Sequence, residues 1–237
     1  YVSMSEALRH GGAACKTKVC ISYLEAEKLE QNPQCIKDLE NFDGVFVPYG
    51  FGPRGTEGKI AAVKFAREND IPFLGICYGF QLAIIEFARN VCGLTDANST
   101  EINPDSPHPV IDLMPEQRGV EYKGATMRLG GHKVYLQKNT LAFNLYQQEE
   151  ITERHRHRFE VNLDYIDVLK NNGLCFSGKS SDGRRMETLE LPNKYFFFAS
   201  QFHGEFKSRP GRPSPEYKGF IQACLDKKLG KPKTPIS

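Results

Sequence analysis

Residues 71–90 read IPFLGICYGFQLAIIEFARN. The apolar run from Ile71 to Cys77 suits a strand buried on both faces, as in a parallel sheet. From Gly79 to Val91 the apolar residues recur at helical spacing, so an amphipathic helix follows directly. The joint, Gly75-Ile76-Cys77-Tyr78-Gly79, has the form of a glycine-flanked nucleophile elbow with cysteine in the reactive place. Glycines suit such a joint because the turn is too tight for side chains. The result would hold Cys77 at a helix N-terminus, where backbone N–H groups and the helix dipole favour a thiolate and an oxyanion. A buried cysteine at a strand end, with glycines serving only the turn, is the plainer alternative.

Upstream the pattern repeats. Gly44 to Pro48 is a compact apolar run, a glycine-rich loop YGFGPRG follows, and Thr56 to Asn69 has helical periodicity. Strands alternating with helices predict an α/β fold: a mostly parallel central sheet flanked by helices, flavodoxin-like, with a nucleophile elbow. Ligands of such sheets lie beyond the carboxyl ends of the strands, where both glycine-rich loops fall. Further out, Met4 to His10 reads as helix, Lys18 to Leu24 as a strand, and Cys35 to Asn41 as a short helix or loop. Pro104 to Pro115 is proline-rich and reads as loop. Strands are expected at 173–177, 186–191 and 195–202, and helices at 162–171 and 214–229. No internal repeat or interdomain linker is evident.

The chain has 237 residues with 31 Lys plus Arg against 29 Asp plus Glu, a net charge of +2. That balance offers no excess of positive charge for nucleic acid or an anionic membrane. No apolar run nears the ~18 residues of a membrane span. Seven cysteines form an odd set without a scaffold spacing, and no Cys-x-x-Cys pair occurs, so free thiols in a reducing cytoplasm are expected and a zinc site is not. The chain opens at Tyr1 rather than Met and is read as a piece of a longer polypeptide.

A nucleophilic thiol needs a base. His203 follows the apolar run Tyr195–Phe202 and stands two residues before Glu205, on the same face of an extended segment. A carboxylate there can orient the imidazole and stabilise its charged form; a surface His–Glu pair is the alternative. The loop Pro48 to Gly55 could offer N–H groups to a developing oxyanion. It matches neither dinucleotide nor P-loop patterns, and a plain turn also fits. Glu153 to Arg158 (ERHRHR) alternates cations with histidines. The arginines argue against a metal, and an anion site gripped by Arg is favoured over a solvated charge run.

These elements together resemble the class I (triad) glutamine amidotransferase domain, and within it the C-terminal glutaminase domain of the CTP synthase family. The stretches that carry the resemblance are VPYGFGPRGTEGKI, IPFLGICYGFQLAIIEFARN, DANSTE, TMRLG, ERHRHRFEVN and QFHGEFKSRP, in that order from near Tyr1 to about Phe220. The resemblance implies a glutaminase domain over 1–229 lacking its first strand, and a flexible basic tail over 230–237. It implies Cys77 as nucleophile, His203 as base and acid, and Glu205 as orienter. Backbone N–H groups of Gly50 and Tyr78 would form the oxyanion hole, with Gly79, Phe80 and Gln81 beside the substrate. Glu101 would meet the α-ammonium of glutamine and Arg158 its α-carboxylate.

The reaction implied is glutamine hydrolysis to glutamate and ammonia, feeding ATP-dependent amination of UTP to CTP in a cytoplasmic, homo-oligomeric full-length enzyme. No cofactor or metal is expected in this domain. ATP and magnesium would belong to an N-terminal synthetase domain of the same polypeptide, and GTP would act as allosteric activator, with 114–126 as its expected contact. A different cysteine hydrolase of related fold and a catalytically impaired regulatory module are the alternatives. The sequence departs from the family's pattern in three places. Tyr49 replaces a glycine and is strained if that position needs positive φ. Tyr78 replaces a leucine. Gly204 replaces a proline, which is expected to loosen the turn between base and orienter.

Overall fold

The structure, a computed structural model, describes residues 1–113 and 127–233. The expected activator contact at 114–126 and residues 234–237 of the expected tail lie outside the described residues.

Three strands run parallel: β1 (Val45–Val47), β2 (Phe73–Ile76) and β10 (Phe197–Ser200). Four more continue the sheet antiparallel from β10: β9 (Met186–Glu190), β8 (Cys175–Ser180), β5 (Arg128–Leu136) and β6 (Glu150–His157). The parallel pairing expected of the elbow strand is thus found where the site lies, in a sheet that is mixed as a whole. A second sheet joins β3 (Ala97–Ser99), β4 (His108–Leu113) and β7 (Phe159–Val161).

Alternation along the parallel strands sends side chains to two cores. Phe73, Phe197 and Ala199 pack on one face, under α3 (Thr56–Glu68) and α4 (Tyr78–Asn90). Leu74, Ile76 and Phe198 pack on the other, under α1 (Val2–Ala14) and α7 (Pro215–Lys228). Each large buried side chain contributes about 1.5–3 kcal/mol. The elbow strand, second from the edge of the sheet, is therefore covered by helices on both faces. Three shorter helices complete the described chain: α2 (Ala26–Gln31), α5 (Leu141–Tyr146) and α6 (Ile166–Asn171). Cys35 to Asn41, read as helix or loop, is a 3₁₀ segment, Pro33–Asn41.

Two expectations fail. Lys18 to Leu24 forms no strand. Its alternation is real, since Val19 and Ile21 pack against the core, but the segment joins neither sheet, so β1 remains the edge next to β2. The region 104–115 contains a strand, β4, rather than only loop. Four prolines disguise it. Pro109 lies near the strand start, where a missing N–H costs least, and Val110 and Ile111 are wholly buried.

Candidate active site

Cys77 lies between β2 and α4 with φ +54° and ψ −96°, a conformation a non-glycine residue adopts at a cost of about 1–3 kcal/mol. The strain is held by its surroundings. Cys77 N–H donates to the Ser200 carbonyl (2.7 Å), tying the elbow to β10. Gly79 lets α4 approach β1, since a Cβ there would lie 2.2 Å from the Val47 carbonyl oxygen.

Because Ser200 is in register with Ile76, the residues after each strand emerge side by side. From β10 come Gln201, His203 and Glu205. His203 Nδ1–H donates to Glu205 Oε1 (2.8 Å), and Tyr217 Oη donates to Glu205 Oε2 (3.3 Å). The carboxylate thereby fixes the tautomer. Nε2 is buried with no hydrogen-bond partner among the described residues, which leaves it as the proton acceptor. Gln201, wholly buried, donates from Nε2 to Cys77 Sγ (3.7 Å). Cys77 Sγ–H also faces the Arg156 carbonyl at 4.0 Å. Burial pushes the thiol up to about 12, with Glu205 and Glu101 adding to the rise and the Tyr78 N–H opposing it. Burial thus opposes the thiolate that the helix N-terminus favours, so a base that takes the thiol proton during attack has work to do.

The loop after β1 is locked to the elbow. The Tyr78 hydroxyl donates to the Gly52 carbonyl (2.6 Å), with Thr56 Oγ1 2.7 Å from the same hydroxyl. Gly50 lies under the Tyr78 ring, where a Cβ would come within 3.2 Å of Cδ1. Gly52 N–H donates to Glu101 Oε1 (3.2 Å). Burial raises the Glu101 carboxyl above its usual range, while the Gly52 N–H and the Arg158 charge pull it back. Glu101 and Arg158, distant in sequence, thus come within electrostatic reach of each other. Arg158 Nε is buried and unpartnered among the described residues.

Gln81 is also buried here, but both donors of its amide are taken, by the Phe159 carbonyl (3.0 Å) and Gln201 Oε1 (3.3 Å). The Phe80 side chain is wholly buried in the core, so only its backbone can face a ligand. Tyr49 avoids the left-handed region, so its replacement of glycine costs no strain. Its ring lies 5.3 Å from that of His203. The ERHRHR run divides by strand alternation: Glu153, His155 and His157 turn inward and Arg154 and Arg156 outward, with Arg158 just beyond β6. His155 Nε2 pairs with Glu187 (2.8 Å). Among the described residues no group of three His, Cys, Asp or Glu side chains is placed to hold a metal, and no helix is long and apolar enough to cross a membrane.

A family model, glutamine amidotransferase class-I, matches residues 1–223. The chain belongs to the class-I glutamine amidotransferase family. Within that family it is similar to the glutaminase domain of Trypanosoma brucei CTPS, solved with bound acivicin: 40% identical, covering 99% of this chain and 89% of that one, with a TM-score of 0.90. It is 56% identical over 231 residues to a CTP synthase of Thermococcus kodakarensis, covering 97% of this chain and 43% of that one. It is 56% identical over 225 residues to a CTP synthase of Archaeoglobus fulgidus, covering 95% and 42% respectively. The chain thus spans about two fifths of the length of the curated relatives it matches.

Three residues packed against Cys77 or the His203–Glu205 segment carry no signal in the motifs. Gln201 carries no chemistry-bearing spacing, although its position between the end of β10 and His203 points to it. Tyr217 and Glu216 reach the triad from α7, which no local pattern connects to the elbow.

Proposed function

We propose that the chain is a glutaminase, hydrolysing L-glutamine to glutamate and ammonia through a thioester on Cys77. The observation that carries this reading is the oriented imidazole: His203 with Nδ1 held by Glu205 and Nε2 free, on the strand paired with the elbow strand. Glu101 and Arg158 supply one fixed charge of each sign, as a zwitterionic amino acid requires.

In acylation Sγ forms a bond to the side-chain carbonyl carbon of glutamine while the thiol proton passes to His203 Nε2. Glu205 stabilises the imidazolium. The tetrahedral oxyanion is held by the Gly50 and Tyr78 N–H groups. Collapse breaks the C–N bond, and the imidazolium proton goes to the leaving nitrogen, which departs as ammonia. Water, deprotonated by His203, then attacks the thioester; its C–S bond breaks, the thiol regains its proton, and glutamate is released.

In the longer protein the ammonia would reach an N-terminal synthetase domain that aminates UTP to CTP. That domain holds the ATP and magnesium, and GTP activates the glutaminase. A cytoplasmic homo-oligomer is the corresponding assembly. The resemblance to CTP synthases supports this wider reading.

Glutamate release from glutamine, combined with peptide mapping after acivicin treatment, tests the proposal. Label on Cys77 alone among the seven cysteines, and loss of turnover in Cys77→Ala, are expected. Predominant labelling of another thiol, or normal turnover by Cys77→Ala, would overturn it.

A further inference from the structure

The turn carrying base and orienter is closed from behind by an unusual pair. Gly204 separates His203 from Glu205. A Cβ built on it would lie 2.4 Å from Glu216 Oε1 and 2.7 Å from Ser214 Oγ. Its φ is not positive, so contact rather than backbone conformation demands glycine. Glu216 belongs to the first turn of α7 and is wholly buried, so any shift of its carboxyl must be taken up inside the packed core.

The charged groups facing Glu216 are the carboxylates of Glu153 and Glu205, with the hydroxyls of Ser200 and Tyr146 also against it. Burial foremost, and then those two carboxylates, raise it well above the usual carboxyl range. Its neighbour Tyr217 donates to Glu205 Oε2. The first turn of α7 thus touches the triad turn at two successive residues.

We propose that Glu216 is a positioning residue for the triad: its carboxyl side chain fills the volume a side chain at 204 would occupy and holds the His203–Gly204–Glu205 turn in its working shape. Gly204 and Glu216 form one interlock in which either position supplies the filling group, but not both. On this reading glycine does not leave the turn loose, and a proline at 204 would meet Glu216. Without the carboxyl, a glycine with no neighbour on its inner side is free to rotate its peptides. The damage falls on turnover, because imidazole alignment acts in the transition state and not in glutamine capture.

The inference rests on the glutaminase reading, and its test separates the two. Gly204→Ala and Glu216→Ala are made singly and together, with Glu216→Gln, in the protein otherwise intact, and steady-state glutaminase kinetics and thermal unfolding are measured. Gly204→Ala is expected to lower kcat about tenfold or more with KM within about twofold, and Glu216→Ala to do likewise. In the Glu216→Ala background, adding Gly204→Ala leaves kcat unchanged or raises it, a coupling of opposite sign to the single substitution. Glu216→Gln, neutral and of the same shape, stays within about threefold of the unsubstituted protein. Equal losses from Gly204→Ala in both backgrounds overturn the interlock, as does Glu216→Gln behaving like Glu216→Ala. Coupling seen in thermal unfolding but not in kcat overturns the positioning role. If the unsubstituted protein hydrolyses no glutamine, the glutaminase reading fails, and the unfolding data still decide whether the interlock exists.

Discussion

In the proposed glutaminase reaction two side chains stand out at the residue scale, and each should answer to a different kinetic constant. Glu205 accepts from His203 Nδ1 and from Tyr217, so Glu205→Gln keeps a hydrogen-bonding group of the same size but loses the charge that stabilises the imidazolium. Folding should persist, while kcat falls by about two to four powers of ten. Wild-type turnover would reduce the triad to a Cys77–His203 dyad. In the proposed reaction Arg158 acts earlier, on substrate capture. Arg158→Ala should raise the glutamine KM, at a cost of about 2–5 kcal/mol in kcat/KM if a buried charge pair is broken. Arg158→Lys should also be poor, because lysine lacks the planar fork. Unchanged kinetics would return Arg158 to the solvated face of its charge run. Cys77 carries a short-range signal in its flanking glycines, but the charge run does not by itself single out Arg158, and the same-face rule linking His203 to Glu205 assumes extended chain where the structure has a 3₁₀ helix over Gly204–Lys207. Gln201 and Tyr217 were not legible, because what makes them matter is a contact with a residue more than ten positions away.

The same distinction governs whole elements. β2 and α4 could be read outright, since a strand buried on both faces followed by an amphipathic helix has a strong local pattern. Lys18 to Leu24 has strand periodicity, but a strand is completed by hydrogen bonds to a neighbour, and a sequence pattern does not supply the neighbour. β4 erred the other way, its buried Val110 and Ile111 masked by prolines that a strand start tolerates. Between elements, the Tyr78 hydroxyl joins α4 to the loop after β1, and through Gly52 to Glu101. Tyr78→Phe removes that tie and leaves the ring packing intact. It should cost about 1 kcal/mol in unfolding free energy. Because the loop carries both the Gly50 N–H and the support of Glu101, kcat/KM should fall by about tenfold. Glutaminase kinetics together with chemical denaturation check this; a loss of stability with unaltered kinetics would show that the loop needs no tie.

For the molecule as a whole, the buried acids behind the triad make stability depend on pH. Burial pushes Glu153 up to about 7, with Lys207 opposing, and raises Glu216 well above the usual carboxyl range. Across the sheet, burial beside Glu187 carries Glu160 up to about 8 against the pull of Arg128 and Arg185. In the unfolded chain each ionises near 4.3. A carboxyl whose pKa is raised by folding contributes stability below its unfolded pKa and loses it as pH climbs through the folded one, because the native state then holds protons that the unfolded chain has released. The slope is about 1.4 kcal/mol per pH unit for each proton so held. His157 works in the other direction. Burial holds it well below its ordinary value, so the unfolded chain takes up a proton below about 6.5 and stability falls on that side. The carboxyl effect is therefore cleanest between about pH 6.5 and 8, above the histidine range and below about 8.5, where unfolded thiols ionise. In that window the unfolding free energy, measured by urea titration, should fall steadily. Glu216→Gln cannot release a proton on unfolding, so its slope should be shallower than the wild-type slope by about one proton, or 1.4 kcal/mol per pH unit. Parallel slopes for the two proteins would mean that Glu216 is already ionised in the fold, and that two adjacent carboxylates share the space behind His203 with no proton between them.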